Sequence, residues 1–435
     1  MIKTGSYEIA LGIMLLRFEV GNFRSIKDRM VLDLRASADS SHRETNTFSL
    51  TDEPVLRSAA LYGANGSGKS NVLRGLKFLT DFAYFSATGT QQDSEIDVIP
   101  FRLCTETESG PSFFELETVR DGIKYRYGLE VSRRRVHAEW LFEARSSREA
   151  MLFTREGNEI ICNPDRFREG KNLVTRTRPN ASFLSVCAQF NGEVASRALA
   201  TIASVIITPD ARIYQNGISR TLMRLGEENF QQRALEMLAA ADLTIKGLRV
   251  DSSNRQTEFL SLANPVDVYS KVIKTIHKKY TANQEPVEDV EFDLLADESA
   301  GTVRFVSLLA PFIDGLAGGH VVVADELDSR MHPLMTRFLV SLFHGPANTN
   351  GAQLIFATHD VNLLSNKYFR RDQIYFTEKD RAEATHLYSL ADYRVEGDRV
   401  RKDASFAKDY LLGKFGAVPF IGDFMITQPD AKANA

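Results

Sequence analysis

Gly63-Ala64-Asn65-Gly66-Ser67-Gly68-Lys69-Ser70 has the Gly-x-x-x-x-Gly-Lys-Ser spacing of a phosphate-binding loop. The apolar run Ala59-Ala60-Leu61-Tyr62 before it reads as a buried strand. Asn71 to Leu79 after it has helical periodicity, with the helix expected to end near Ala83. Strand, glycine loop and helix are the context the motif needs. Glycines let the backbone curl around phosphate oxygens with its N–H groups aimed inward, and the helix N-terminus adds partial positive charge. Gly63, Asn65, Gly66, Ser67, Gly68, Lys69, Ser70 and Asn71 are therefore the expected nucleotide-binding set. Lys69 would reach the β and γ phosphates of ATP, and the Ser70 hydroxyl would be a ligand of Mg²⁺.

A second half of the site is visible downstream. Val321-Val322-Val323-Ala324 is an apolar strand ending in Asp325-Glu326, the Walker B arrangement. Asp325 would hold the metal shell and Glu326 would polarise the attacking water. Gln353 to Ala357 reads as a further buried strand, ending in Thr358-His359-Asp360. His359 follows Glu326 by one helix-sized interval, where ABC-type ATPases place a switch histidine facing the γ-phosphate. Glu298-Ser299-Ala300-Gly301-Thr302 opens an amphipathic helix, Val303 to Ala310, that leads into the Walker B strand. Ser-x-Gly at a helix start is an anion site by geometry, although serine there is also an ordinary N-cap. Its distance before Asp325, one helix plus one turn, suits Ser299 and Gly301 to an ABC signature motif. Such a motif completes the nucleotide site of the opposite protomer and implies an ATP-sandwiched homodimer, with a higher oligomer left open.

With 435 residues the chain can hold two domains, or one large domain with an insertion. No apolar run approaches a membrane span, and the N-terminus lacks the basic region of a signal peptide. Cys104, Cys162 and Cys187 are far apart and have no metal-ligand spacing. These features lead us to expect a soluble, reduced, cytoplasmic protein. A net charge of −4 argues against general nucleic-acid affinity. Residues 120–178 depart from that balance, with 14 Lys or Arg against 9 Asp or Glu and Arg133-Arg134-Arg135 at the densest point. A solvated strand face explains this surplus better than a phosphate-backbone site. Met1 to Ile13 fits poorly with the alternating strand pattern that begins at Met14, so Met14 is the expected natural start.

The fold class expected is α/β: an ABC-type P-loop head with an antiparallel β subdomain and a helical insertion. Its divisions are an N-terminal lobe over 1–160, a mainly helical insertion over 161–285, a lobe with signature, Walker B and His359 over 286–395, and a tail over 396–435. Short alternating runs between 96 and 161 read as antiparallel strands. Residues 86–95 read as loop, helical patterns dominate from about 180 to 285, and strands return near Phe292, after which strand and helix alternate. No sustained heptads are present, which removes a long coiled-coil arm.

Taken together, Asn22-Phe23-Arg24-Ser25-Ile26, the glycine loop, Glu-Ser-Ala-Gly-Thr, Asp325-Glu326-Leu327-Asp328-Ser329-Arg330-Met331-His332-Pro333 and Ala357-Thr358-His359-Asp360 resemble the RecF/SMC/OLD-related branch of ABC ATPases. Within it, the chain is most similar to stand-alone abortive-infection ATPases of AbiL-like type. Pro100-Phe101-Arg102-Leu103 and the tail Tyr410 to Phe420 carry the same resemblance. It implies an ATPase that senses or scaffolds in bacterial antiphage defence, of the general kind used in PARIS and some retron systems. Its implied partners are a separately encoded nuclease-like effector and a phage trigger protein or nucleic acid, with no membrane. The helical region around 180–285, entered through Gly226-Glu227-Glu228-Asn229-Phe230, is the expected effector surface. The alternative is a RecF-like DNA repair ATPase acting directly on DNA, and a third reading is ATP as dimer glue without turnover. The first is preferred because the 76 residues after His359 leave no room for a nuclease domain and no basic stripe is visible. Glu326 argues against the glue. The sequence departs from the pattern twice: His332 stands where transporters have Asp in the D-loop, and no Q-loop glutamine is clear, with Gln91 and Gln92 early. Slow hydrolysis is the expected consequence.

Overall fold

A computed structural model describes residues 12–49, 53–89, 91, 93–146, 148–208, 215–251, 271–395 and 397–419. In chain order the strands and helices begin with β1 (Met14–Gly21), β2 (Met30–Asp33), α1 (Arg43–Asn46), β3 (Thr47–Ser49), β4 (Pro54–Leu56), β5 (Ser58–Tyr62) and α2 (Lys69–Gly89). Next come α3 (Thr105–Glu108), β6 (Ser112–Arg120), β7 (Ile123–Val131), β8 (Val136–Ala144), β9 (Glu149–Glu156) and β10 (Glu159–Cys162). The middle holds α4 (Phe183–Gln189), α5 (Glu193–Ile202), β11 (Val205–Ile207), α6 (Gln215–Arg224), α7 (Glu228–Ala240), β12 (Gly247–Asp251), β13 (Val272–Tyr280) and β14 (Pro286–Asp293). The last part holds α8 (Ala300–Gly318), β15 (Val321–Ala324), α9 (Pro333–His344), β16 (Gln353–Ala357), β17 (Ile374–Lys379), β18 (Thr385–Ser389), β19 (Arg394–Val395), β20 (Asp398–Arg399) and α10 (Phe406–Leu411).

The central sheet runs β11-β15-β16-β5-β17-β18, parallel throughout except for the β17–β18 hairpin. Both of its faces are covered, which is why β5, β15 and β16 are continuous apolar runs. The period of two splits each strand between two cores. Ala59, Leu61, Val321, Val323, Ile355 and Ala357 face the core shared with α2 and the N-terminal lobe. Ala60, Tyr62, Val322, Ala324, Leu354 and Phe356 face the core built on α8. The parallel strands carry the glycine loop, Asp325-Glu326 and Thr358-His359 on the loops after β5, β15 and β16, which is how remote motifs reach one edge. Beside this sheet lies a seven-stranded antiparallel sheet, β10-β9-β8-β7-β6-β1-β2, as the alternating runs foretold.

Three sequence expectations change. The stretch read as helical up to 285 is helical only through α7; β12, β13 and β14 form an antiparallel three-stranded sheet, and residues 252–270 lie outside the described residues. The strand β14 contains Phe292, near which strands were expected to return, and it is exposed along most of its length. The helix after the glycine loop continues past Ala83 to Gly89, because partners distant in sequence complete its last turn. Arg178 donates to the carbonyls of Ser86 and Ala87, and the Ala87 N–H donates to Ser185 Oγ at 3.1 Å. Gly12 and Ile13, read as part of an ill-fitting extension, donate backbone hydrogen bonds to Asn350 O and Gly319 O. The rest of that extension, residues 1–11, lies outside the described residues.

The helix α8 is apolar and long enough to cross a membrane, but it is largely buried as the spine of the second core. Thr221 on α6 is inserted into its hydrogen-bond ladder, donating to Val306 O and accepting from Ala310 N just before Pro311.

Candidate functional site

The glycine loop is held from behind by two segments far away in sequence. Gly63 and Gly68 have φ of +148° and +111°, conformations in which a side chain is strained. A Cβ on Gly63 would lie 2.3 Å from Thr377 O, and one on Gly68 would lie 2.2 Å from Thr385 Oγ1. Ser67 Oγ pairs with Thr377 Oγ1 at 2.6 Å, and Thr385 Oγ1 donates to Ser67 O at 2.9 Å. Ser25, in the turn after β1, pairs with Thr385 Oγ1 and accepts from Asn71 Nδ2 at 2.7 Å. The Asn71 side chain therefore braces the loop from outside. Asn65 and Gly66 form its exposed crown.

Lys69 is buried, and its Nζ donates to Gly63 O at 2.8 Å and Ala64 O at 3.2 Å. Burial lowers its pKa to about 8, against the opposing pull of Asp325, Asp328 and Glu326. These three carboxylates and Lys69 thus share one electrostatic neighbourhood. His359 belongs to it as well: partial burial and then Lys69 depress its pKa, while Asp328, Glu326 and Asp325 oppose them. Its backbone N–H donates to both carboxylate oxygens of Asp328 at 3.3 Å.

Asp325 Oδ1 is buried with no hydrogen-bond partner among the described residues. Ser70 and Asp325 line one cavity of about 840 Å³, together with Arg24, Arg74 and Asp97. An orphaned carboxylate oxygen and a serine hydroxyl lining the same cavity fit a hard divalent cation such as Mg²⁺, which takes few protein ligands. Glu326 has φ +48°, so the extended backbone of β15 ends sharply just after Asp325.

Ser299 N-caps α8, its Oγ accepting from Thr302 N at 3.1 Å, and it is exposed. A Cβ on Gly301 would lie 2.8 Å from Arg330 O, so glycine permits the helix start to rest on the loop after Walker B. Among the described residues no hydrogen bond joins Ser299 or Gly301 to the glycine loop of the same chain. His332 caps α9, its Nδ1 accepting from Leu334 N at 3.2 Å with Pro333 in the first turn. That is a structural reason for histidine at this position. The Gln91 carbonyl accepts from Asn180 Nδ2, and Gln92 lies outside the described residues.

Four contributors were missed. Thr377 and Thr385 lie too far along the chain for sequence reasoning to pair them with the loop, and Ser25, quoted within the Asn22–Ile26 motif, was given no role in the site. Arg304 left a signal: a cation on the apolar face of α8, now fully buried, donating to Asp325 O at 3.3 Å.

The family described as "AAA domain, putative AbiEii toxin, Type IV TA system" matches residues 58–365, more than half of the chain. The chain belongs to that family. It carries an AAA domain that contains the glycine loop, on an α/β fold with an antiparallel sheet and no long coiled coil among the described residues. Solved structures overlap it loosely. An SMC head bound to the C-winged helix domain of ScpA shares 13% identity over 86% of this chain and 97% of that one, with a TM-score of 0.47. The SMC head domain from Thermotoga maritima gives 13%, 86%, 98% and 0.40. A Smc head with an extended coiled coil, bound to a ScpA domain derived from Pyrococcus furiosus, gives 12%, 87%, 96% and 0.42. No curated protein matches the chain.

Proposed function

We propose that this chain binds ATP with Mg²⁺, closes as a homodimer around it, hydrolyses it, and controls a separately encoded toxic effector in antiphage defence in the cytoplasm. The observation that carries the ATPase reading is the convergence of Lys69, Glu326, Asp328 and His359 with Asp325, whose buried Oδ1 has no hydrogen-bond partner among the described residues. Loop N–H groups and Lys69 would take the phosphates, with Lys69 exchanging its two loop carbonyls for phosphate oxygens. Ser70 and Asp325 would hold Mg²⁺, which supplies charge neutralisation on the transferred phosphoryl group. Glu326 would orient the attacking water and accept its proton, and His359 would face the γ-phosphate. Ser299, exposed at the start of α8, and the half-buried Gly301 would complete the partner's site.

The defence role is supported by the family description and by the resemblance of the motif set. A direct DNA role draws less support, because several of the basic side chains in 120–178 are paired within the protein. Arg126 pairs with Glu115 and Glu149, Arg133 with Glu95, Arg166 with Glu143, and Arg155 with Glu139. Expression alone and beside its neighbouring gene, under phage challenge, tests the reading. Protection that requires both genes is expected. Toxicity or protection from this chain alone contradicts the two-component arrangement and favours a toxin in its own right.

A further inference from the structure

We infer that Arg304 is the positioning residue that ties Glu326 to the signature segment, so that engagement of one protomer's signature with its partner's ATP sets its own catalytic carboxylate. The inference rests on the ATP-sandwich reading above. Arg304 is 1% exposed, on the second turn of α8, close behind Ser299 and Gly301. Its guanidinium donates to Asp325 O at 3.3 Å and Glu326 O at 3.5 Å, the two carbonyls at the sharp end of β15. At the other end of the same loop, the Gly301 backbone rests on Arg330 O, with no room for a Cβ between them. Asp325 to Arg330 is therefore gripped at both ends by the first two turns of one helix. Both Glu326 and Arg330 have left-handed backbones, with φ of +48° and +63°. Non-glycine residues keep that conformation only where their surroundings impose it. The Arg304 cation meets the Glu326 carbonyl dipole and fixes the peptide from which the carboxylate departs. A shift of α8 on contact with the partner's γ-phosphate would be carried to Glu326 by this grip, whereas the Lys69 end of the site would stay where Thr377 and Thr385 hold it.

A positioning role predicts a split between turnover and binding. In Arg304→Met, kcat should fall roughly 10–100-fold, the loss that a small misplacement of a catalytic group produces. ATP affinity, read with a fluorescent ATP analogue, should stay within about twofold, since the Arg304 guanidinium is directed at the carbonyls of Asp325 and Glu326, while Lys69 Nζ is held by Gly63 O and Ala64 O. The Hill coefficient of hydrolysis against ATP concentration should be above 1 in the wild type and fall to about 1. Arg304→Lys keeps a buried cation and should recover most of the turnover, which also covers the case in which the methionine variant does not fold. Unchanged kcat in a folded Arg304→Met overturns the inference. Parallel loss of affinity and turnover in both variants also overturns it, reducing Arg304 to a support of the fold. A wild-type chain that binds ATP without turnover overturns the hydrolytic reading itself, and is told apart by being seen before any variant is made.

Discussion

Mild acid should destabilise this protein through His344. The ring sits at the end of α9 beneath the strand that carries the glycine loop. The Ser58 hydroxyl lies 2.8 Å from its Nε2 and accepts from the Gln373 amide at 2.9 Å, which leaves Ser58 to donate to a neutral imidazole. Burial, reinforced by Arg57 and His42, lowers the His344 pKa from 6.5 to about 3. The unfolded chain therefore takes up this proton first. The contribution is intact above pH 6.5 and is lost progressively as pH falls towards 3. Each pH unit inside that window costs about 1.4 kcal/mol, so the loss at pH 5 is about 2 kcal/mol. That is a large share of the ~5–15 kcal/mol that holds a typical domain folded. His344→Gln retains a side-chain acceptor for Ser58 and has nothing to titrate. Urea unfolding of both proteins at pH 7.5 and pH 5.0 measures the difference. The wild type should lose about 2 kcal/mol more than the variant between the two conditions. Equal losses would refute a neutral, buried His344.

Lys69→Ala should weaken ATP binding by about 100-fold or more, the worth of a charge-assisted contact to phosphate, and calorimetric titration with MgATP checks it. Gly66 and Gly68 both have positive φ, but only Gly68 has a neighbour where a Cβ would go. Gly68→Ala should therefore abolish ATP binding, while Gly66→Ala should cost about 1–2 kcal/mol of backbone strain at most, as the same titration and a melting curve will show. Ser299→Arg should bind ATP in the monomer yet fail to assemble with it. If light scattering shows the wild-type increase in mass, Ser299 is only a helix cap.

What the sequence made legible was local. The glycine loop, Asp325-Glu326, His359 and the Ser299 cap each announce themselves within a few residues, and the parallel strands between them are apolar enough to read. What stayed hidden depends on contact across the fold. Thr377 and Thr385 brace Ser67 from 310 and 318 residues away, and no pattern in either segment points at the loop. The last turn of α2 reads as polar loop until Arg178 and Ser185 are seen to satisfy it. The helices α6 and α7 and a strand near Phe292 were expected, but β12 and β13 were not, because each buries only two residues near its start. Arg304 could have been found, since an arginine between Val303 and Phe305 on an apolar helix has to be paired somewhere.

The central claim is that Glu326 drives ATP turnover inside a closed dimer. Phosphate release and light-scattering mass, measured with MgATP on wild type and Glu326→Gln, test it most directly. The account predicts that the variant binds ATP, accumulates as a dimer, and releases phosphate roughly 100-fold or more slowly, the usual worth of a general base. Equal phosphate release by the two proteins, or a variant that stays monomeric with ATP bound, would contradict it.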